Sequence, residues 1–338
     1  MDNQVADVVL VTLSDAPTSG CTGGCCADAG TPPDASIGSG HASASSGHAP
    51  HGPAHGPAHG SATTAPTGRL RAPVLACRDA LTAAGALTST MTACSDSEID
   101  AILAAALDRG ARLVVAAATD GQLRAVVRRL VRRYTPAPGQ RPETLPADRT
   151  LPDLPAIGVL PLAPGDDLVA RLGLPRDPAA VAAAVLGGQV RRLDLLRNDA
   201  GSVTLHGTLL GGVDDAGAAV PFAARVEVDD AVLADGSEPL IAAAVANADG
   251  YAIVDGLPLA TRADPADGVL DVAVALPVTT RGPLGRSSVR MEVRRARGRA
   301  VSVAPAAEIQ FTDDGVPGTL AGKRSWWMER AAWSVYAP

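Results

Sequence analysis

Two hydrophobic periodicities in succession limit what this chain can become. Between residues 8 and 188, apolar runs with strand character alternate with stretches whose apolar residues recur at helical spacing. After about residue 189 the spacing falls to two, the period of a half-buried strand. In the first part, VVLVTL at 8–13 reads as a buried strand. VLACRDALTAAGAL at 74–87 fits a short helix. Ser95-Asp96-Ser97-Glu98 forms a capping box ahead of IDAILAAALDRG, with Ile99, Ile102, Leu103, Ala106 and Leu107 as one stripe and Gly110 as the C-cap. A strand over 112–118, a helix over 122–133, a strand over 157–160 and helices over 166–172 and 178–186 follow. Such alternation predicts a parallel, three-layer α/β domain. The segments ARVEVDDAVL, IAAAVAN, VLDVAVALP, VRMEVRR and AVSVAP predict a mostly antiparallel β domain after it, a two-sheet sandwich or an open barrel. The expected organisation is therefore α/β followed by β. Residues 1–26 form the first strand and its loop, 27–68 a disordered insertion, 69–188 the α/β domain and 189–338 the β domain.

Composition narrows the function classes. Aromatic residues are only 2% of the chain, so Ala, Val and Leu must build the interior. A net charge of −7 argues against a nucleic-acid partner, which usually needs a basic face. No stretch is long and apolar enough to span a bilayer, and the acidic N-terminus lacks the basic region of a secretory signal. The expected location is cytoplasmic, with peripheral contact at a membrane face, and a homodimer is allowed. Residues 27–68 are rich in Gly, Ser, Pro, Ala and His and carry the repeat HGPAHGPAHG; a period of four residues with no apolar face cannot offset the entropy of ordering. Soft-metal ligands stand within it and just ahead of it: His41, His48, His51, His55 and His59 inside, and Cys21, Cys25 and Cys26 before it. Structural zinc sites need such ligands inside a folded unit, so adventitious affinity is the plainer reading.

The stretch LVVAAATDGQLRAVVRRL at 113–130 runs from a strand through a sharp turn, Thr119-Asp120-Gly121-Gln122, into a helix. A helix N-terminus offers unpaired N–H groups to a phosphate. The plain alternative is an ordinary junction with Asp120 capping the helix. Downstream lies IGVLPLAPGDDLVARLGLPRD, where Asp166 would cap a helix and Asp167 sit in its first turn. Then come AVLGGQVRRLDLLRNDAGSVTLHG, the segment VANADGYAIVDGLPLATRADPADGVLDVAVA and the turn FTDDGVPG.

In order and spacing these stretches resemble the bacterial diacylglycerol kinase and lipid kinase family, whose catalytic domain is shared with sphingosine kinases. The resemblance runs from about residue 70 to the C-terminus. It implies a nucleotide site at Thr119, Asp120, Gly121 and Gln122, where the family has GGDGT, and at Gly165, Asp166 and Asp167, where it has GTGND. Thr92 lies near a further nucleotide-contacting position. Pro17, Ser19 and Gly20 match an NPxSG loop in which Ala16 replaces the asparagine. Asp120 and Asp314 are the implied catalytic residues, although the family's general-base glutamate is replaced by Val316. Asp267, with the carbonyls of Asp264 and Val269, is the implied Mg2+ site. ATP and Mg2+ are the implied cofactors, with a nucleotide and a lipid hydroxyl as substrates. Threonine at 119 is expected to resist a positive φ and to crowd a phosphate. His206 is a lone histidine in a hairpin with no role assigned. The tryptophans Trp326, Trp327 and Trp333 are read as packing, with a membrane-facing patch as the sharper alternative. The arginines at 124, 128, 129, 132 and 133 read as a solvated helix face that equally suits anionic headgroups.

Overall fold

A computed structural model describes residues 5–14, 67–137, 139–165, 167–214, 217–254, 256–281 and 287–338. The Cys/His segment and the loop Ala16–Gly20 lie outside the described residues, as does Asp166. The first half contains β1 (Asp7–Leu13), α1 (Thr67–Ala83), β2 (Leu87–Ala93), α2 (Asp96–Asp108), β3 (Arg112–Ala117), α3 (Asp120–Tyr134), β4 (Ala156–Pro161), α4 (Leu168–Arg171) and α5 (Pro178–Gly187). Four parallel strands lie in the order β4-β3-β1-β2. Alternate residues of β1 serve opposite faces. Val9 and Val11 pack with Ile102, Leu103, Val126 and Leu130 of α2 and α3, while Val8 and Leu10 pack with Leu81 of α1 and Val181 of α5. This is the expected helix–sheet–helix sandwich. The strand order reverses between β1 and β3, the kind of point where open α/β sheets place a ligand at the carboxyl ends of their strands.

Strand β2 is absent from the sequence expectation. Its sequence LTSTMTA is polar and largely exposed, so no apolar alternation marks it. It forms because β1 offers an edge to which all seven of its residues pair. Helix α1 begins at Thr67, ahead of the expected start, and carries Pro73 inside it. Helix α4 is a single turn rather than the expected seven residues, and its N-cap is Asp167, not Asp166.

The second half runs β5 (Val190–Asn198), β6 (Val203–Thr204), β7 (Gly207–Leu210), β8 (Gly212–Val213), β9 (Ala219–Val220), β10 (Ala224–Val228), β11 (Ala231–Asp235) and β12 (Ala242–Ala246). It continues with β13 (Ile253–Val254), β14 (Leu257–Pro258), β15 (Leu270–Arg281), β16 (Ser287–Gly298), β17 (Ala300–Pro305), β18 (Ile309–Asp313), β19 (Val316–Leu320) and β20 (Arg324–Tyr336). One sheet is antiparallel, ordered β16-β15-β12-β7-β18-β19. It packs against β10, β17, β20 and β5 through Leu210, Val226, Val245, Val274, Val303, Trp326 and Met328.

The final strand joins the halves. Strand β20 pairs with β17 and β5 antiparallel, then with β4 in parallel at Ser334↔Ala156 and Val335↔Ile157. The parallel sheet therefore continues into the β half as one ten-stranded sheet. Trp326 and Trp333, on β20, are buried in the core. Trp333 donates from Nε1 to the carbonyl of Asp194 at 2.8 Å. Trp327 stacks under Arg197, 5.6 Å from the ring centroid. Trp326 and Trp333 are thus packing residues, while Trp327 is half-buried. No helix among the described residues is long and apolar enough to cross a membrane.

Candidate functional site

A cleft of about 360 Å3 opens where the two halves meet. It is lined by Thr119, Asp120, Gly121, Asp167, His206, Gly250, Tyr251, Asp314, Gly315 and Val316. Four groups of residues, drawn from five stretches of the chain, converge there.

The first group is the turn into α3. Thr119 is the N-cap, with φ −141° and ψ 157°, and its side chain accepts from the N–H of Gln122. Gln122 returns the favour: its Oε1 accepts from the N–H of Ala118 at 2.7 Å. Threonine and glutamine three apart form a capping box. This corrects two expectations. Asp120 is the first helical residue and not the cap. Thr119 is extended, so its β-branch meets no positive φ. A donor that the loop keeps from a ligand is the Ala118 amide, which the Gln122 side chain already occupies. Asp120 is thereby free to reach across: both its oxygens lie 3.2 Å from the Leu168 N–H of α4. Gly121 has no room for a side chain, because a Cβ there would stand 2.5 Å from Cγ2 of Val316.

The second group is the loop before α4. Asp167 caps that turn through the Ala170 N–H and receives both terminal nitrogens of Arg176, at 2.7 and 3.1 Å. Burial alone would raise its pKa, but Arg176 and the cap outweigh it and hold the carboxyl below its ordinary range. Gly165 is not among the cleft-lining residues.

The third group is the β18–β19 hairpin. Its two-residue turn, Asp314-Gly315, has φ of +49° and +78°. Two successive positive φ values mark the type I′ turn that suits a tight hairpin. Aspartate tolerates the left-handed region, and glycine adopts it freely. The turn aims Val316 at Gly121 and sends both aspartates inward. Asp314 is 1% exposed; its oxygens accept from the N–H groups of Leu205, His206 and Gly207 at 2.8, 2.8 and 3.1 Å. Asp313 accepts from Thr204, Thr208 and Arg124. Burial, and for Asp314 the adjacent charge of Asp313, push both carboxyls above the ordinary range. Asp314 stands at the cleft, but every contact it makes braces the hairpin. Its geometry suits structure rather than proton transfer.

The fourth group holds residues that sequence reasoning left out. His206 follows β6 and places Nδ1 3.3 Å from Oδ2 of Asp120 and Nε2 2.9 Å from the carbonyl of Asp249. Tyr251 stands edge-on to it, with centroids 5.0 Å apart, and accepts from the Gly315 N–H at 3.1 Å. No spacing marks a lone histidine. The nearest signal was its place in the hairpin that the family resemblance covers.

Two groups of expected residues lie elsewhere. Thr92 is at the carboxyl end of β2, its hydroxyl 2.8 Å from that of Thr12 on β1. It sits on the ligand edge of the sheet, outside the cleft lining. The Asp264–Val269 loop is bound internally: Oδ1 of Asp267 accepts from the Val269 N–H, and Oδ2 pairs with Arg297. Arg297 also meets Asp271 at 3.3 Å, while buried Asp194 accepts from the Gly268 N–H at 2.6 Å. A guanidinium thus stands where the resemblance puts Mg2+, and the donor set does not fit the ion. Among the described residues no three His, Cys, Asp or Glu side chains gather as a metal site. The arginine stripe of α3 is likewise engaged: Arg128 and Arg129 pair with Asp96, Arg129 also with Asp100, Arg133 with Asp108, and Arg124 with Asp313.

The cleft thus lies where the strand ends of a layered α/β half meet a hairpin of the β half. Residues 63–198 match the model of the diacylglycerol kinase catalytic domain. No curated protein matches the chain. Among solved structures, a diacylglycerol kinase from Bacillus anthracis str. Sterne is similar at TM-score 0.59 and 12% identity, covering 99% of this chain and 98% of its own. Two proposed diacylglycerol kinases from the same strain give TM-scores of 0.62 and 0.61 at 13% and 14% identity, with the same coverage. At that identity the likeness is one of fold, and it extends through the sandwich.

Proposed function

We propose that the cleft is a nucleotide site of a lipid kinase-like protein, with ATP as the ligand and a lipid hydroxyl as the phosphate acceptor, and that transfer is slow for want of a general base. The observation that carries this reading is the contact between Gly121 and Val316. It brings the retained Asp-Gly of the phosphate turn against the position where the family resemblance calls for a glutamate, and there the chain offers only a valine. Phosphoryl transfer needs a cradle, charge neutralisation and a base that orients the acceptor. The first turn of α3 supplies the cradle, since its leading N–H groups have no helical partner. Val316 cannot take a proton, and the carboxylates of Asp313 and Asp314 are committed to the hairpin. Mg2+ would arrive on the nucleotide phosphates rather than on an assembled set of protein ligands, and no step is assigned to it.

Calorimetric titration with ATP, with and without Mg2+, tests the site. Binding is expected. Its absence at millimolar ATP under both conditions would remove the nucleotide reading. Binding with no detectable transfer to diacylglycerol vesicles supports the slow-transfer reading, and rapid transfer by the wild type would overturn it.

A further inference from the structure

Two carboxylates that line the cleft each have a basic partner: Asp120 has His206 and Asp167 has Arg176. Of the two partners only the histidine changes charge near neutral pH. Its hydrogen bonds bear on its protonation. Nε2 lies 2.9 Å from the Asp249 carbonyl, which only accepts, so Nε2 carries a hydrogen. Nδ1 lies 3.3 Å from Oδ2 of Asp120, and a carboxylate also only accepts. With an acceptor facing each nitrogen, the site favours the imidazolium form. The groups facing it agree. Asp120 approaches from α3, Asp314 from the β18–β19 turn and Tyr251 from beyond β12. The neighbouring cation Arg124 is turned to Asp313 at 2.7 Å. Burial opposes the charge, but the bonds to Asp120 and Asp249 outweigh it and the pKa is raised above its ordinary 6.5.

We infer that His206 is a positioning residue which, as an imidazolium, fixes Asp120 and cancels its charge from within the protein, so that the cleft accepts a phosphate-bearing anion with no divalent cation on Asp120. This rests on the nucleotide reading of the cleft. Once the ring loses its proton, Nδ1 faces Asp120 lone pair to lone pair, and the bare carboxylate repels an anion. Affinity therefore falls as pH rises through the pKa of His206.

Two measurements on the full chain decide it. In a proton NMR titration, the His206 ring signal, assigned by its loss in His206→Gln, is expected to titrate above 6.5. In Asp120→Asn it should titrate lower. A value at or below 6.5 in the wild type overturns the inference. In calorimetry with ADP in EDTA, binding is expected at about pH 6 and about tenfold weaker at about pH 8, with the pH dependence lost in His206→Gln. Binding only with Mg2+ overturns this inference and leaves the nucleotide reading standing; no binding under any condition overturns both. Should His206→Gln fail to fold, the wild-type profile and the Asp120→Asn titration still decide.

Discussion

At the scale of single residues, two side chains take up groups that a phosphate or a cation would otherwise use. Gln122 is the clearest. Its amide closes a capping box and so withdraws the Ala118 N–H from any phosphate. Gln122→Ala should raise nucleotide affinity a few-fold, the worth of one hydrogen bond at about 0.5–1.5 kcal/mol, while lowering the melting temperature slightly. Unchanged affinity in a calorimetric titration would show that this amide is no part of the cradle. Arg297 is the second. It stands between Asp267 and Asp271, and Arg297→Ala leaves those carboxylates without their cation. The wild type should melt at the same temperature with Mg2+ or EDTA, whereas Arg297→Ala should melt lower and regain part of the loss in Mg2+. A wild type stabilised by Mg2+ would contradict the internal-cation account. Residue identity was readable from the sequence where a motif fixed it: Asp120, Gly121, Asp167 and Val316 all line one cleft, as their alignment with the family implied. His206 was not readable, because its partner Asp120 lies 86 residues away and no spacing announces the pair.

At the scale of elements, the loops that build the site are braced by ion pairs between neighbouring pieces. Asp167 and Arg176 tie the cap of α4 to the segment leading into α5. The carboxyl is held below its ordinary 3.8, so its stabilising effect is present above that pH and is lost as pH falls through the lowered folded value. Arg176→Ala should therefore cost up to about 1 kcal/mol at neutral pH, a modest sum because the pair is partly exposed. The difference from wild type should shrink below pH 3.8. A constant difference across pH would assign the effect to lost packing. Elements with strong apolar periodicity, such as α2 and α3, were legible, and so was the box that caps α2. Strand β2 was not: its side chains face solvent, and it owes its existence to the edge that β1 presents.

At the scale of the whole molecule, β20 makes two halves into one sheet, and its tryptophans anchor the junction. Trp326 and Trp333 are both buried, but only Trp333 has a partner for its indole N–H. Trp333→Phe should cost about 0.5–1.5 kcal/mol more than Trp326→Phe in denaturant unfolding, since it removes one of the two donors to the Asp194 carbonyl, the other being Asn247. Equal losses would reduce both residues to volume alone. Local pattern cannot reveal this junction, because a C-terminal strand pairing in parallel with one about 180 residues earlier leaves no trace in spacing. The same convergence brings the α/β turn and the sandwich hairpin face to face at Gly121 and Val316.

That contact yields the most direct measurement: transfer of the ATP γ-phosphate to diacylglycerol by the wild type and by Val316→Glu, with ATP affinity measured for both. The account expects both proteins to bind ATP, little turnover in the wild type and a gain on the order of a hundredfold in the variant, the lower end of what a positioned base contributes. A variant that binds ATP as the wild type does and transfers no faster would contradict the claim that the missing base limits this site.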